Sequence, residues 1–188
     1  MNSNQSLKNK TLILMRGLPA SGKSYHAKKL CNGNESIICS ADHFFGYAPE
    51  EYVAKWSLQG LGAAHNYCRE KAKSLMERQL PLVIIDNTNT MIKEMLPYVE
   101  MAVFYGYEVQ IEEPVSDWWK NKILPFIGNK NRFRSELDLA CEDLFERSKS
   151  VHKVPLETIK KMMQKYEPNL TPEKLLNLNE KRKECTTP

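Results

Sequence analysis

The run Thr11-Leu12-Ile13-Leu14-Met15 stops at Arg16 and Gly17, and a few residues further on the chain reads Gly22-Lys23-Ser24. A short apolar segment of this kind is a buried strand, and Gly17 and Pro19 break it. "KSYHAKKLC" then reads as a helix. Gly17-x4-Gly22-Lys23-Ser24 thus lies in a strand-loop-helix frame and fits the P-loop pattern. Its glycines let successive backbone N–H groups wrap phosphates while the helix directs its positive end at them. Gly17, Leu18, Pro19, Ala20, Ser21, Gly22, Lys23, Ser24 and Tyr25 are the expected nucleotide-binding residues. Lys23 would reach the β- and γ-phosphates, and the Ser24 hydroxyl would ligate Mg²⁺, a hard cation that prefers oxygen. The competing reading is a plain glycine-rich turn, and the strand before and helix after the motif argue against it.

The same alternation continues downstream. "SIICS" is a second short strand, and "ADHFFGYAPEEY" a loop leading to a short helix after Pro49. Leu61, Ala64, Cys68, Ala72 and Leu75 recur at three-and-four spacing and mark an amphipathic helix within Leu58 to Gln79. "PLVIID" is a third strand, "TMIKEMLPYVEMAVFYG" largely helical, and "YEVQIEE" a fourth strand. Such a succession predicts an α/β fold, a parallel sheet with helices on both faces. From about Pro114 to Lys153 the rhythm breaks into aromatic and basic residues, which reads as a helical lid insertion. "PLETIKKMMQKYE" closes the domain with a helix. The expected layout is a polar tail over 1–10, one domain over 11–168, and a peripheral C-terminal tail over 169–188.

Composition sets limits on partners. With 188 residues, 41% hydrophobic and 27% charged, the chain has the balance of one globular domain with a real core. Its net charge of +4 permits acidic partners such as nucleotides or nucleic acid without demanding them. The five cysteines form no CxxC pair, so reduced thiols are expected, with neither a disulfide framework nor a zinc site. The opening residues lack the apolar middle of a signal peptide, and no run approaches a membrane span. These features predict a cytoplasmic protein with no membrane partner, with the nucleus left open.

Two carboxylates join the phosphate loop. Asp86 follows four apolar residues and should emerge at the carboxyl end of a central strand beside the P-loop, a Walker-B-like metal position. Asn87, Thr88 and Asn89 add polar groups there. Asp42 follows the second strand and should lie on the same edge, where a carboxylate can accept a proton from an attacking hydroxyl. Each also has a structural reading as a helix cap.

With these elements in order, the sequence resembles the polynucleotide-kinase-like P-loop kinases. The stretches "RGLPASGKS", "ICSADHFF", "GAAHNYC" and "VIIDNTNTMIKEMLPYVEMAVFYGYEVQIEEP" are similar to the animal branch called Nedd-four-binding-protein-two-like. The resemblance implies a P-loop NTPase three-layer sandwich, with Asp42 as general base, Lys23 and Ser24 as triphosphate and Mg²⁺ ligands, and Asp86 near the metal. It also implies a lid arginine acting on the transferring phosphoryl group, for which Arg147, Arg132 and Arg134 compete. Phe45 stands where phage polynucleotide kinase has an arginine that holds the substrate phosphate. His65 reads as a core histidine on the apolar side of its helix, and Trp118 and Trp119 as anchors of the lid insertion rather than base-stacking groups. The expectation is an Mg²⁺-dependent kinase using ATP, with a nucleic-acid 5′-end as acceptor. A small-molecule alcohol is the alternative acceptor, and a nucleotide-gated binding module the alternative class.

Overall fold

The computed structural model describes residues 9–46, 51, 55, 57, 59–127, 134–149 and 154–186. The expected short helix after Pro49 lies almost entirely outside these residues. Four strands, β1 (Thr11–Met15), β2 (Ile38–Cys39), β3 (Leu82–Ile85) and β4 (Glu108–Glu112), form one sheet in the order β2-β3-β1-β4. All three pairings are parallel, with Ile13 beside Ile84 and Gln110, and Cys39 beside Ile85. Between and after the strands come α1 (Lys23–Leu30), α2 (Leu61–Glu77), α3 (Ile92–Tyr105), α4 (Arg134–Ser148), α5 (Leu156–Lys165) and α6 (Pro172–Thr186).

β2, β3 and β1 beyond Thr11 are apolar without interruption because both faces of the sheet are covered there, whereas the edge strand β4 alternates and exposes Glu108 and Gln110. Leu12 and Leu14 of β1 and Val83 and Ile85 of β3 face a core shared with Ala64, Cys68, Ala72 and Leu75 of α2 and Met95, Val99 and Ala102 of α3. Ile13, Met15 and Ile84 point the other way and pack with Ala27 of α1, with Cys31 at its C-terminal cap and with Ile37. Helix, sheet and helix therefore form three layers, and the alternation of side chains along each strand assigns its residues to one core or the other.

A third core belongs to the lid. Trp119 and Ile123 lie in a turn of π-helix (Trp119–Ile123) and pack with Ala140, Cys141 and Leu144 of α4, and Ile159 and Met163 of α5. Both tryptophans serve as anchors: Trp119 is buried, and Trp118 donates its ring N–H to Asp143 at 2.6 Å.

Two expectations are corrected. The C-terminal segment is not peripheral: α6 places a fully buried Leu175 in the main core, with Leu176 and Leu178 packed alongside. His65 is exposed, because the buried stripe of α2 runs through Ala64 and Cys68, one residue off the histidine on one side. Among the described residues no helix is long and apolar enough to cross a membrane.

Candidate functional site

β1 ends where the loop begins, and the two framing glycines are required for different reasons. Gly17 has φ +147°, and a Cβ there would lie 2.7 Å from Ser21 Oγ, 3.1 Å from Pro114 Cδ and 3.2 Å from Lys23 Cγ. The loop closes too tightly at that point for any side chain. At Gly22 there is room, but its φ of +96° is the left-handed conformation that glycine adopts without strain. Between them Ala20 is also left-handed, at φ +59°. The resulting loop curls before the first turn of α1, a turn free of acidic residues. Its positive end therefore faces the loop uncompensated.

Lys23 is buried and curls back to donate to the Leu18 carbonyl at 2.9 Å. Burial holds its pKa below the ordinary lysine value, and the carboxylates of Asp86 and Asp42 oppose that shift. Burial conversely raises Asp86, with Lys23 and a hydrogen bond from Ser24 opposing. Desolvation drives each shift, and the attraction between the two opposite charges opposes both. Lys23, Asp86, Asp42 and Ser24 thus form one electrostatic cluster at the carboxyl edge of the sheet. His43 belongs to it as well: burial first and the Lys71 cation second hold its imidazole toward the neutral form.

Asp86 Oδ1 is buried with no hydrogen-bond partner. An acceptor oxygen left this way fits a hard cation, and the Ser24 hydroxyl near the same carboxylate is a second oxygen suited to Mg²⁺. Among the described residues no group of three or more His, Cys, Asp or Glu forms a closed metal cage. A cation here would take its remaining ligands from phosphate oxygens and water. Ser21 Oγ, also buried and without a partner, lines the same loop.

The polar residues around Asp86 act structurally. Asn87 accepts from the Ala41 N–H at 2.9 Å and so fixes the segment carrying Asp42 against the end of β3. Asn89 donates to the Met15 carbonyl at 2.7 Å and ties β3 to the start of the P-loop. Neither carboxylate caps a helix. The turn at Asp42 follows Ala41, and the Asp42 N–H instead donates to Ser40 Oγ at 3.3 Å. The first N–H groups of α3 go to Glu94 and Glu167.

In the sequence Arg16 marks only a strand end, and nothing in its local sequence signals more. It is 1% exposed and donates to the carbonyls of Asn89 at 3.0 Å and Glu167 at 2.8 Å. Its guanidinium also pairs with Glu113 at 3.4 Å and lies 4.4 Å from the centre of the Tyr166 ring. Partners from the residue after β4, the β3–α3 loop and the segment following α5 meet at this one cation, which satisfies donors of a buried charge. The P-loop is connected to the lid a second time through Leu18, fully buried in the lid core beside Trp119 and Leu144.

Of the three lid arginines, only the side chain of Arg147 falls within the described residues. Arg132 lies outside the described residues, and Arg134 opens α4. Arg147 lies 3.9 Å over the Trp118 ring and pairs with Asp143 at 3.2 Å on the outer side of α4. Tyr25 is 68% exposed, with Lys29 over its ring at 4.5 Å.

A parallel sheet bearing a P-loop, with a lysine and two carboxylates at its carboxyl edge, defines a nucleotide-binding P-loop protein. The chain belongs to the AAA domain family, whose model matches residues 12–120. It is 41% identical over 112 residues to NEDD4-binding protein 2 of Homo sapiens, covering 59% of this chain and 6% of that protein. The resemblance to that branch therefore holds. It is also 29% identical over 133 residues to 2′,3′-cyclic-nucleotide 3′-phosphodiesterase of Rattus norvegicus, covering 69% of this chain and 29% of that one. The Pongo abelii protein of the same name is 34% identical over 117 residues, covering 58% and 25%. The chain spans less than a third of the length of each.

Proposed function

We propose that the protein transfers the γ-phosphoryl group of ATP to a hydroxyl in an Mg²⁺-dependent reaction, with the 5′-hydroxyl of RNA or DNA as acceptor. The observation that carries this reading is the electrostatic cluster of Lys23, Asp86 and Asp42 at one edge of the sheet. Lys23 would leave the Leu18 carbonyl for the phosphates. Asp42 would accept the acceptor's proton as its oxygen bonds to the γ-phosphorus and the bond to the β–γ bridging oxygen breaks, releasing ADP. Bound Mg²⁺ would neutralise charge on the phosphate oxygens, held by Ser24 and Asp86. The curated relatives named for cyclic nucleotides support a nucleotide-type substrate for this chain.

A second acceptor class is favoured by Phe45. Its ring is 2% exposed in the main core and presents no charge to a substrate phosphate. A small-molecule alcohol on the same scaffold needs no such grip. Incubation with γ-labelled ATP and Mg²⁺ against 5′-hydroxyl oligonucleotides and pooled metabolites tests both. Label on oligonucleotides, with a KM that rises with salt and loses about 0.7 in log–log slope per phosphate contact removed by Lys130→Ala, Arg132→Ala or Arg134→Ala, supports the polynucleotide. Label confined to small metabolites supports the second acceptor. ATP binding with no transfer to anything would leave a nucleotide-gated module.

A further inference from the structure

Adjacent exposed aromatic side chains make a contiguous apolar patch, and a patch of this kind beside a candidate site is a surface for a ligand. Phe44 is 44% exposed and Tyr67 37% exposed, with their ring centres 6.0 Å apart and tilted by 56°. Phe44 ends the short 3-10 turn Asp42–Phe44 that Asp42 begins. The proposed base and Phe44 therefore sit on one short turn, and Tyr67 meets Phe44 from α2.

The corner is held from behind. Phe44 meets Phe45 edge to face at 5.3 Å, and Phe45 is buried among the side chains of the main core. Tyr67 lies on α2 beside Cys68, whose sulfur accepts from the Asn87 amide at 3.5 Å. Asn87 also holds the Ala41 N–H, so the turn and the helix are referenced to the same residue next to Asp86.

We propose that Phe44 and Tyr67 form the acceptor's base platform: a purine or pyrimidine base stacks on Phe44 with its edge toward Tyr67, presenting the hydroxyl of the attached sugar to Asp42. The two aromatics are then specificity-determining positions for an acceptor that carries a base, whether a free nucleotide or the end of a strand. This rests on the phosphoryl-transfer reading and narrows it. Stacking is tolerant of base identity because every base offers a π-face, so the platform selects for the presence of a base rather than for its sequence.

The test pairs a kinetic with an optical readout. Acceptor KM is measured for a nucleoside 3′-phosphate and for 1-deoxyribose 3-phosphate, which lacks the base, in wild type and in the Phe44→Leu, Phe44→Trp and Tyr67→Leu variants. The base-free acceptor should have the higher KM by roughly 5- to 150-fold in wild type. That gap should shrink several-fold in Phe44→Leu and Tyr67→Leu, and persist in Phe44→Trp. In parallel, a 5′-hydroxyl trinucleotide with 2-aminopurine at its 5′ end is titrated with protein holding a non-hydrolysable ATP analogue. Its fluorescence should be quenched by wild type and by Phe44→Trp, and less by Phe44→Leu. An ATP-induced rise in melting temperature confirms that each variant is folded. Equal KM values for the two acceptors in wild type, or a gap and a quench that survive Phe44→Leu, overturn the platform. If wild type labels no acceptor at all, the kinase reading fails, and the quench in Phe44→Leu against wild type still decides whether a base stacks there.

Discussion

At the carboxyl edge of the sheet the chain buries Lys23, Asp86 and the hydroxyl of Ser21, whereas the lid encloses Trp119, Ile123, Leu144, Ile159 and Met163 and leaves Arg147 half exposed. The sheet edge accepts desolvated charge and unsatisfied oxygens, a cost that a bound triphosphate and cation would relieve. In the lid, stability comes from ordinary apolar packing. The difference assigns binding strain to one region and scaffold stability to the other. Leu18 is the exception, a P-loop residue whose side chain is part of the lid core.

The largest effect expected is on chemistry at the sheet edge. Asp42→Asn keeps the shape of the turn and removes the proton acceptor, so kcat should fall roughly 10²- to 10⁴-fold while ATP affinity is maintained. Lys23→Ala should lower both ATP affinity and turnover. Single-turnover transfer of labelled phosphate together with equilibrium ATP binding separates the two. Near wild-type transfer by Asp42→Asn, with chemistry rate-limiting, removes Asp42 from its role.

The comparison also explains how much could be read in the sequence. β1, β3, the P-loop and α2 were legible because apolar runs, helical spacing and the glycine-lysine-serine order are local signals. The loop geometry at Gly17 and Gly22 follows from that order. Arg16 was not legible, because its partners Asn89, Glu113, Tyr166 and Glu167 are far along the chain. α6 was missed for a similar reason: a segment rich in Asn, Lys and Glu carries its leucines Leu175, Leu176 and Leu178 at a spacing that matters only once α3 and β4 offer a surface. His65 failed by one step around the helix, within the error of judging which face is buried from spacing alone.

Next in size is the junction. Leu18→Ala and Leu144→Ala each remove a fully buried leucine from the lid core, and each should destabilise the fold by about 2–5 kcal/mol in denaturant melts. Only Leu18→Ala should also weaken ATP binding, because its backbone carries the carbonyl that holds Lys23 and its side chain seats the loop. Equal loss of ATP affinity in both variants would mean that the lid acts on the P-loop as a whole rather than through Leu18.

A smaller effect tests the strain at the sheet edge. Asp86→Asn mimics the protonated acid. Because burial raises Asp86 above its ordinary 3.8, the folded protein holds that proton more tightly than the unfolded chain. Wild type and Asp86→Asn should therefore melt alike below about pH 3.8. As pH rises through the raised folded value, wild type loses this contribution, and the nucleotide-free variant should become the more stable of the two. The same variant should lose the Mg²⁺-dependent part of its ATP affinity. A melting difference that does not change with pH would show that Asp86 is not desolvated.

The smallest effect belongs to the outside of the lid. Arg147 pairs with Asp143 at 3.2 Å while both side chains are about half exposed, and its guanidinium covers the Trp118 ring at 3.9 Å. Solvent screens such a pair, so Arg147→Ala should reduce stability by no more than about 1 kcal/mol, the ion pair and the ring contact together. Its hold on Trp118 and Asp143 places Arg147 in the structure of the lid's outer face, and its removal should lower kcat by less than about threefold. Arg132→Ala or Arg134→Ala should then carry the loss expected of a group that stabilises charge on the transferring phosphoryl, roughly 10²- to 10³-fold in kcat. Measured side by side under single turnover, the three variants rank the lid arginines directly. A loss of that size in Arg147→Ala, with Arg132→Ala and Arg134→Ala unaffected, would mean that Arg147 leaves Trp118 and swings inward when ATP binds, and the division between a charged sheet edge and an apolar lid would hold only for the nucleotide-free protein.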